Sequence, residues 1–343
     1  MERLETPVKP GNWLKNLVRQ QIFIPLAALL LLVLFNLIAD PGFFKITMGQ
    51  NSNGDPVLSG YLITILNNAS ELVILAIGMT LVTAASGGQD ISVGANIAIA
   101  GSVILRVLCG NQGARPETMQ APIIVAFLAA CVVSMLVGAF NGTLVAMVAT
   151  LILFTAGRSI AAWINNNELP IINDPQFGYF GNFIPGIPVP TPVFIAIACI
   201  IVIALVLKFS TLGLLTQSVG INAHSSRLNG IDPAFVKFLT YVILGLCVAV
   251  AGLIKVSRIS SINYSVIAKD IEMDAILAVA LGGNALGGGK FNMWGSILGA
   301  YVIQFLTTTL YKFNVASDAL PAYKAVVVII LVVMSAPVVR ERM

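Results

Sequence analysis

The chain has 343 residues, 57% of them hydrophobic and only 10% charged, and its mean hydropathy is +0.92. Soluble domains carry about 25% charged residues, so a water-facing globule is excluded and a polytopic membrane protein is implied. The formal charge of +4 forms no basic stripe, which argues against a nucleic-acid partner. One histidine and four scattered cysteines offer neither a metal centre nor a disulfide framework.

A helix needs about 20 apolar residues to cross the hydrocarbon core of a bilayer. In chain order, clear runs occupy 22–39, 62–86, 121–146, 192–208, 238–256, 295–311 and 323–339, and less regular ones lie at 91–109, 148–164 and 272–287. The expected fold is all-α, with about ten transmembrane helices, interrupted or re-entrant segments, and a weak two-fold internal repeat as an open question. The first run follows Arg3, Lys9, Lys15 and Arg19 and ends in Ala39-Asp40-Pro41 without a small-x-small cleavage site. It reads as a retained anchor rather than a signal peptide.

Basic residues favour the cytoplasmic side. That rule places the N-terminal segment 1–21, the segment 209–237 with Arg227 and Lys237, and the tail 340–343 in the cytoplasm, with 22–339 as the transmembrane domain. The loop 165–190 has acids and no Lys or Arg, which fits the opposite side. Six spans before the basic segment and four after it satisfy both termini.

Two stretches break the apolar pattern. One is Ser86-Gly87-Gly88-Gln89-Asp90-Ile91-Ser92-Val93-Gly94; the other runs from Gly282 to Gly295. Each follows a similar preamble, opening at Glu71 in the first and at Glu272 in the second. Irregular backbone at membrane depth is tolerated only where protein or a water-filled cavity satisfies it, and Gly-interrupted segments in two halves of a chain point to a transport pathway. Asp90 reads equally well as a cap for a helix starting at Ile91 and as a pathway group. Gly138, Gly142, Gly295 and Gly299 read as close-packing positions between helices. Glu71 and Arg158 are intramembrane charges, best read as structural. Asn141 is a candidate interhelical hydrogen-bonding group, and Glu272 and Asp274 flank a span.

The stretch GGNALGGGKFNMWG resembles a phosphate loop only superficially. That signature needs Gly, four residues, Gly, Lys and then Ser or Thr; counted back from Lys290 the first position is Asn284, and Phe291 replaces the hydroxyl. The glycines instead fit the end of a helix and a tight turn. The segment from Thr216 to Pro233 contains a candidate short helix between Asn222 and Asn229, stopped by Gly230, and carries no nucleophile–base pair. By itself it reads as a docking element or a plain connection.

Several motifs carry a resemblance to a known family. They are Gly78-Met-Thr-Leu-Val with Gly87 to Gly94, Asn141-Gly-Thr-Leu-Val, Ala149-Thr-Leu-Ile, and Ala156-Gly-Arg158. Val219-Gly-Ile-Asn222 through Arg227-Leu-Asn-Gly-Ile231 follows, and Asp274-Ala-Ile with Gly282-Gly-Asn284 and Leu286-Gly-Gly288 completes the set. In this order, over nearly the whole chain beyond about residue 60, the sequence resembles the ribose/galactoside-type permeases of bacterial ABC sugar importers. Val148-Ala-Thr-Leu-Ile-Leu and Leu239-Thr-Tyr-Val-Ile-Leu-Gly-Leu-Cys are most similar to galactofuranose-type members.

The resemblance implies a non-enzymatic transport subunit in the bacterial inner membrane that carries no cofactor itself. ATP and Mg would sit on partner ABC ATPase subunits. A periplasmic sugar-binding protein would deliver a pentose or hexose, and a second permease, the same or a related chain, would complete the pathway within the lipid bilayer. It places the ATPase-coupling contact on Gly220, Asn222, His224, Arg227, Asn229 and Gly230. Asp90, Asn141 and Asn284 are the candidate pathway or gate positions. Only Met147 separates Ala146 from Val148, where family members usually carry several residues. An ion-coupled secondary transporter, or an ABC permease for nucleosides or signalling molecules, stays open as an alternative.

Overall fold

The computed structural model describes residues 22–50, 54–110, 112–144 and 147–335. The basic N-terminal residues, the Ala146 side of the short connection and the tail containing Arg340 and Arg342 lie outside them. Each of the ten apolar runs holds a helix: α1 (Phe23–Ala39), α2 (Tyr61–Ser86), α3 (Val93–Cys109), α4 (Ile123–Thr143), α5 (Met147–Ile164), α7 (Thr191–Phe209), α10 (Pro233–Ile259), α11 (Ile271–Leu281), α12 (Met293–Lys312) and α13 (Leu320–Ser335). Three shorter helices sit in connections: α6 (Pro175–Gly178), α8 (Leu212–Ile221) and α9 (Ala223–Leu228). Five of the helices, α2, α4, α7, α10 and α12, are long and apolar enough to cross a membrane.

Burial sorts these helices into pillars and walls. The most hydrophobic stretch of α2 is 94% buried inside the protein, whereas that of α7 is 17% buried. Both are apolar, so the difference marks α2 as central and α7 as peripheral, with an apolar face turned outward from the chain. The long helix α10 packs against α2, α3 and α4, and small residues let it approach. A side chain on Gly138 would strike the carbonyl of Tyr241, and one on Gly245 would strike the carbonyl of Ser134. The α11–α12 contact uses the same device, with Gly295 and Gly299 seated on the backbone of Gly282 and Ala278.

Four details differ from the sequence reading. The third helix opens at Val93 rather than Ile91, because the Asp90 carboxylate accepts from Ser92 N (2.8 Å) and closes a turn ahead of the helix. The run at 272–287 is helical only to Leu281. At about 1.5 Å per residue its 11 residues reach roughly half of a bilayer core of about 30 Å, so α11 is a half-helix. A hairpin of β1 (Thr47–Gln50) and β2 (Pro56–Ser59), antiparallel with Thr47 opposite Ser59, follows a 3-10 turn at Pro41–Phe44 where no strand was expected. Finally, α8 precedes the expected short helix. Extended backbone at Asn222 separates the two, and its side chain accepts from Ser225 N at 2.9 Å to cap α9.

At the end of the bundle bearing the hairpin, Lys312 pairs with Asp40 and lies over the rings of Phe43 (5.1 Å) and Tyr61 (5.5 Å). The Lys312 hydrogen bond, helped by Gly42 N–H, holds the exposed Asp40 carboxyl below the ordinary carboxylate range. These contacts tie the C-terminal end of α1 to α12. Deeper along the same pair, Asn36 donates to Thr309 Oγ1 at 2.9 Å.

Candidate functional site

The two interrupted stretches, far apart in sequence, meet. Gly289 N–H donates to the carbonyl of Ala84 at 2.9 Å, and Gln89 Nε2 donates to the carbonyl of Leu286 at 3.2 Å. Gly87, in the left-handed region at φ 65°, lies so close to Gly287 that a Cβ on it would come within 2.7 Å of that carbonyl oxygen. Gly288 and Gly289 also have positive φ, at 92° and 103°, conformations that glycine adopts without strain. Gly220, near the C-terminus of α8, rests on the same crossing, where a Cβ would collide with the Ala84 carbonyl and the Gly289 nitrogen. Backbone from three parts of the chain therefore converges at one junction.

The candidate pathway residues divide between two networks flanking this junction. Asp90 Oδ1 accepts from Ser92 N (2.8 Å) and Ser92 Oγ (2.6 Å). Asn141 Nδ2, on α4, donates to Asp90 Oδ2 (3.1 Å) and to Ser92 Oγ (2.9 Å). All three side chains are buried. Asn284 is elsewhere: its Oδ1 accepts from Asn292 N at 2.5 Å, and its Nδ2 donates to Val279 O (3.1 Å) and Ser296 Oγ (2.8 Å). The Ser296 and Thr80 hydroxyls bond at 2.6 Å, which fastens the loop after α11 to α12 and α2 together. Asp90 and Asn141 thus belong to one cluster and Asn284 to the other.

The intramembrane carboxylate of Glu71 is neutralised locally. Glu71 on α2 is 1% exposed and pairs with Lys255 (2.6 Å) and Arg258 (2.7 Å), both on α10. Arg258 also donates to Asn68 Oδ1 (3.1 Å), Asn67 Oδ1 (3.1 Å) and Gly181 O (3.3 Å). Arg158 donates to the carbonyls of Tyr264 and Ile267, both at 2.8 Å, so its charge serves backbone groups of the turn before α11. Glu272, on the first turn of α11, is buried against Gly94, where any side chain would meet its carboxylate.

A cavity of about 930 Å3 opens between α2, α10, α11, α12 and α13, lined among others by Asn68, Glu71, Lys255, Asp274, Gln304 and Lys324. Asp274 accepts both oxygens' worth of bonding from Lys324 Nζ, at 3.0 and 2.7 Å, and so joins α11 to α13. The sequence places Asp274 at a span flank and in a family motif, and it does not single out Lys255, Arg258, Gln304 or Lys324. Their signal was a charged or amide residue inside or at the edge of an apolar run, which by itself does not reveal the partner across the bundle.

A mostly helical bundle, with half-helix α11, broken helices in contact and a polar cavity beside them, defines a polytopic membrane protein. The chain belongs to the family described as the permease component of branched-chain amino acid transport systems, whose model matches residues 61–336. It is 33% identical over 338 residues to a fructose import permease protein of Bifidobacterium longum, covering 95% of this chain and 91% of the relative. It is 37% identical over 317 residues to a galactofuranose transporter permease protein of Escherichia coli, covering 90% and 88%. It is 32% identical over 318 residues to a ribose import permease protein of Escherichia coli, covering 90% and 91%. No solved structure matches. The chain is thus a multi-pass membrane protein and a transport subunit.

Proposed function

We propose that this chain is the translocating subunit of an ATP-driven importer for a pentose or hexose in the bacterial inner membrane, with both termini cytoplasmic. The observation that carries this reading is the seating of Gly220 on the Ala84–Gly289 crossing. A segment outside the apolar helices rests directly on both interrupted elements, so a push on it reaches the parts of the bundle least constrained by helical hydrogen bonding. The sugar class comes from the relatives, which are permeases for fructose, galactofuranose and ribose.

In this mechanism a partner ATPase, which holds ATP and Mg, grips α8 and α9 through Asn222, His224, Arg227, Asn229 and Gly230. Its closure moves α8, and Gly220 transmits that movement to the junction. The 930 Å3 cavity, with amides and internally paired charges, receives solute from a periplasmic binding protein. Amides and paired charges present hydrogen-bonding surface, which suits a neutral sugar that must leave again. Asp90, Asn141 and Asn284 hold the segments that flank the gate, and a second permease closes the other wall. Solute selection rests largely with the binding protein.

Reconstitution tests this directly. Proteoliposomes containing the permease, its ATPase and the binding protein are expected to accumulate labelled fructose, galactofuranose or ribose only with ATP inside the compartment facing the ATPase. Uptake by the permease alone under a proton or sodium gradient would overturn the reading.

A further inference from the structure

A second cavity, of about 390 Å3, lies at the base of α10 where α9 folds back on the bundle. We propose that it binds a phosphate ester. Two cations line it, Arg227 from α9 and Lys237 from α10, together with the imidazole of His224 and the hydroxyls of Ser86, Thr143 and Tyr241. No carboxylate lines it. The ion pairs among the described residues, Glu71 with Lys255 and Arg258, Asp40 with Lys312, and Asp274 with Lys324, leave out both Arg227 and Lys237. The neighbouring Asp232 is not among the lining residues; its carboxylate accepts from Ala234 N at 2.9 Å and caps α10.

Tyr241 supplies an independent pointer. It is 1% exposed, it lines this cavity, and its hydroxyl lies beside the Ser86 side chain without a hydrogen bond of good geometry among the described residues. A buried, unmade hydrogen bond costs about 1–3 kcal/mol, and an anion's oxygen in the cavity would satisfy it. Guanidinium, ammonium and hydroxyl donors converging on one space are the set that recognises phosphate oxygens. The larger cavity contrasts with this one, because the carboxylates of Glu71, Asp270, Asp274 and Asp318 line it beside its lysines. The volume falls inside the range of about 300–1,000 Å3 typical of small-molecule pockets, enough for a phosphate carrying a glycerol or sugar moiety.

Two sources share this chemistry, the headgroup of an anionic phospholipid and a soluble phosphate ester. An occupant would bridge α9 to the ends of α2, α4 and α10. His224 and Arg227 also belong to the contact proposed for the ATPase, so the site is open in the chain free of that partner, and its test does not rest on the translocation reading.

Binding to the purified full-length chain in neutral detergent tests it, with no transport assay involved. One arm titrates phosphatidylglycerol, read by native mass spectrometry and thermal unfolding; the other titrates glucose 6-phosphate and inorganic phosphate. Saturable binding is expected in at least one arm, weakened about tenfold or more by Lys237→Gln, the loss of one charge-assisted hydrogen bond. Tyr241→Phe keeps the ring's packing and is expected to weaken it as well, whereas Lys208→Gln on α7, outside the cavity, is expected to leave it unchanged. A response to phosphatidylglycerol alone assigns the site to lipid, and a response to the soluble esters assigns it to a solute. Absence of saturable binding in both arms, or binding that Lys237→Gln and Tyr241→Phe leave unaltered in folded protein, overturns the proposal.

Discussion

Gly289 donates its backbone N–H to the carbonyl oxygen of Ala84 at 2.9 Å, joining the loop after the half-helix α11 to the last turn of α2. Gly220 of α8 lies directly on that bond. The contact leaves no room for a side chain, so three segments can move past one another only by separating their backbones. A junction of this kind has few intermediate positions, as packed interfaces switch rather than deform continuously.

Gly220→Val places a branched side chain where the Ala84 carbonyl and Gly289 nitrogen now sit. Overpacking of this type costs about 1–3 kcal/mol. The expected result is a protein that inserts in the membrane but loses about tenfold or more of its transport while the partner ATPase still turns over. Uptake and ATP hydrolysis measured on the same reconstituted preparation check it, and wild-type coupling in this variant would remove Gly220 from the transmission route.

Arg227→Glu reverses the charge of an exposed residue on α9. ATP hydrolysis is expected to become uncoupled from transport, with insertion and thermal stability unchanged, because Arg227 belongs to none of the described ion pairs. Full transport by this variant would remove the coupling role from α9.

Glu71→Gln leaves Lys255 and Arg258 facing each other without their shared carboxylate. Breaking a buried ion pair costs about 3–5 kcal/mol, and the lower end applies here because Lys255 is 29% exposed to the cavity and keeps some water. A clear fall in unfolding temperature is expected in detergent. Lys255→Met should be milder, since Arg258 still neutralises Glu71, and equal losses in the two variants would contradict the triad's asymmetry.

Asn141→Leu removes the amide that donates to Asp90 and Ser92. Interhelical hydrogen bonds in membranes contribute about 0.6 kcal/mol on average and up to about 1.7, so stability should change little. If the Asp90 cluster positions a gate, transport should fall far more than stability does. Parallel small losses in uptake and unfolding temperature would reduce the cluster to helix packing alone.

Much of the protein was legible in one dimension. The apolar runs gave every major helix, because a bilayer span is a local property set by length and hydropathy. The breaks at Gly87 and Gly282 were visible for a similar reason: clustered glycine and polar residues cannot continue a lipid-facing helix. Asn222 and Gly230 also marked α9 correctly, one as its cap and the other at a φ of 78° just beyond its end.

What the sequence determined by itself was therefore the class of molecule, the places of its apolar helices, the positions of its two interruptions and the failed phosphate loop. The tertiary structure alone decided that those interruptions touch, that Gly220 sits on their contact, and that Asp90 and Asn141 share a cluster from which Asn284 is absent. It also chose the partners of Glu71 and Asp274 and shortened α11 to a half-helix. Hydropathy acts residue by residue along the chain, but a hydrogen bond or ion pair between α2 and α10, or between α11 and α13, exists only after packing brings the helices within about 3 Å of each other. Several pairings are compatible with the same pattern of charges, and helix packing selects one.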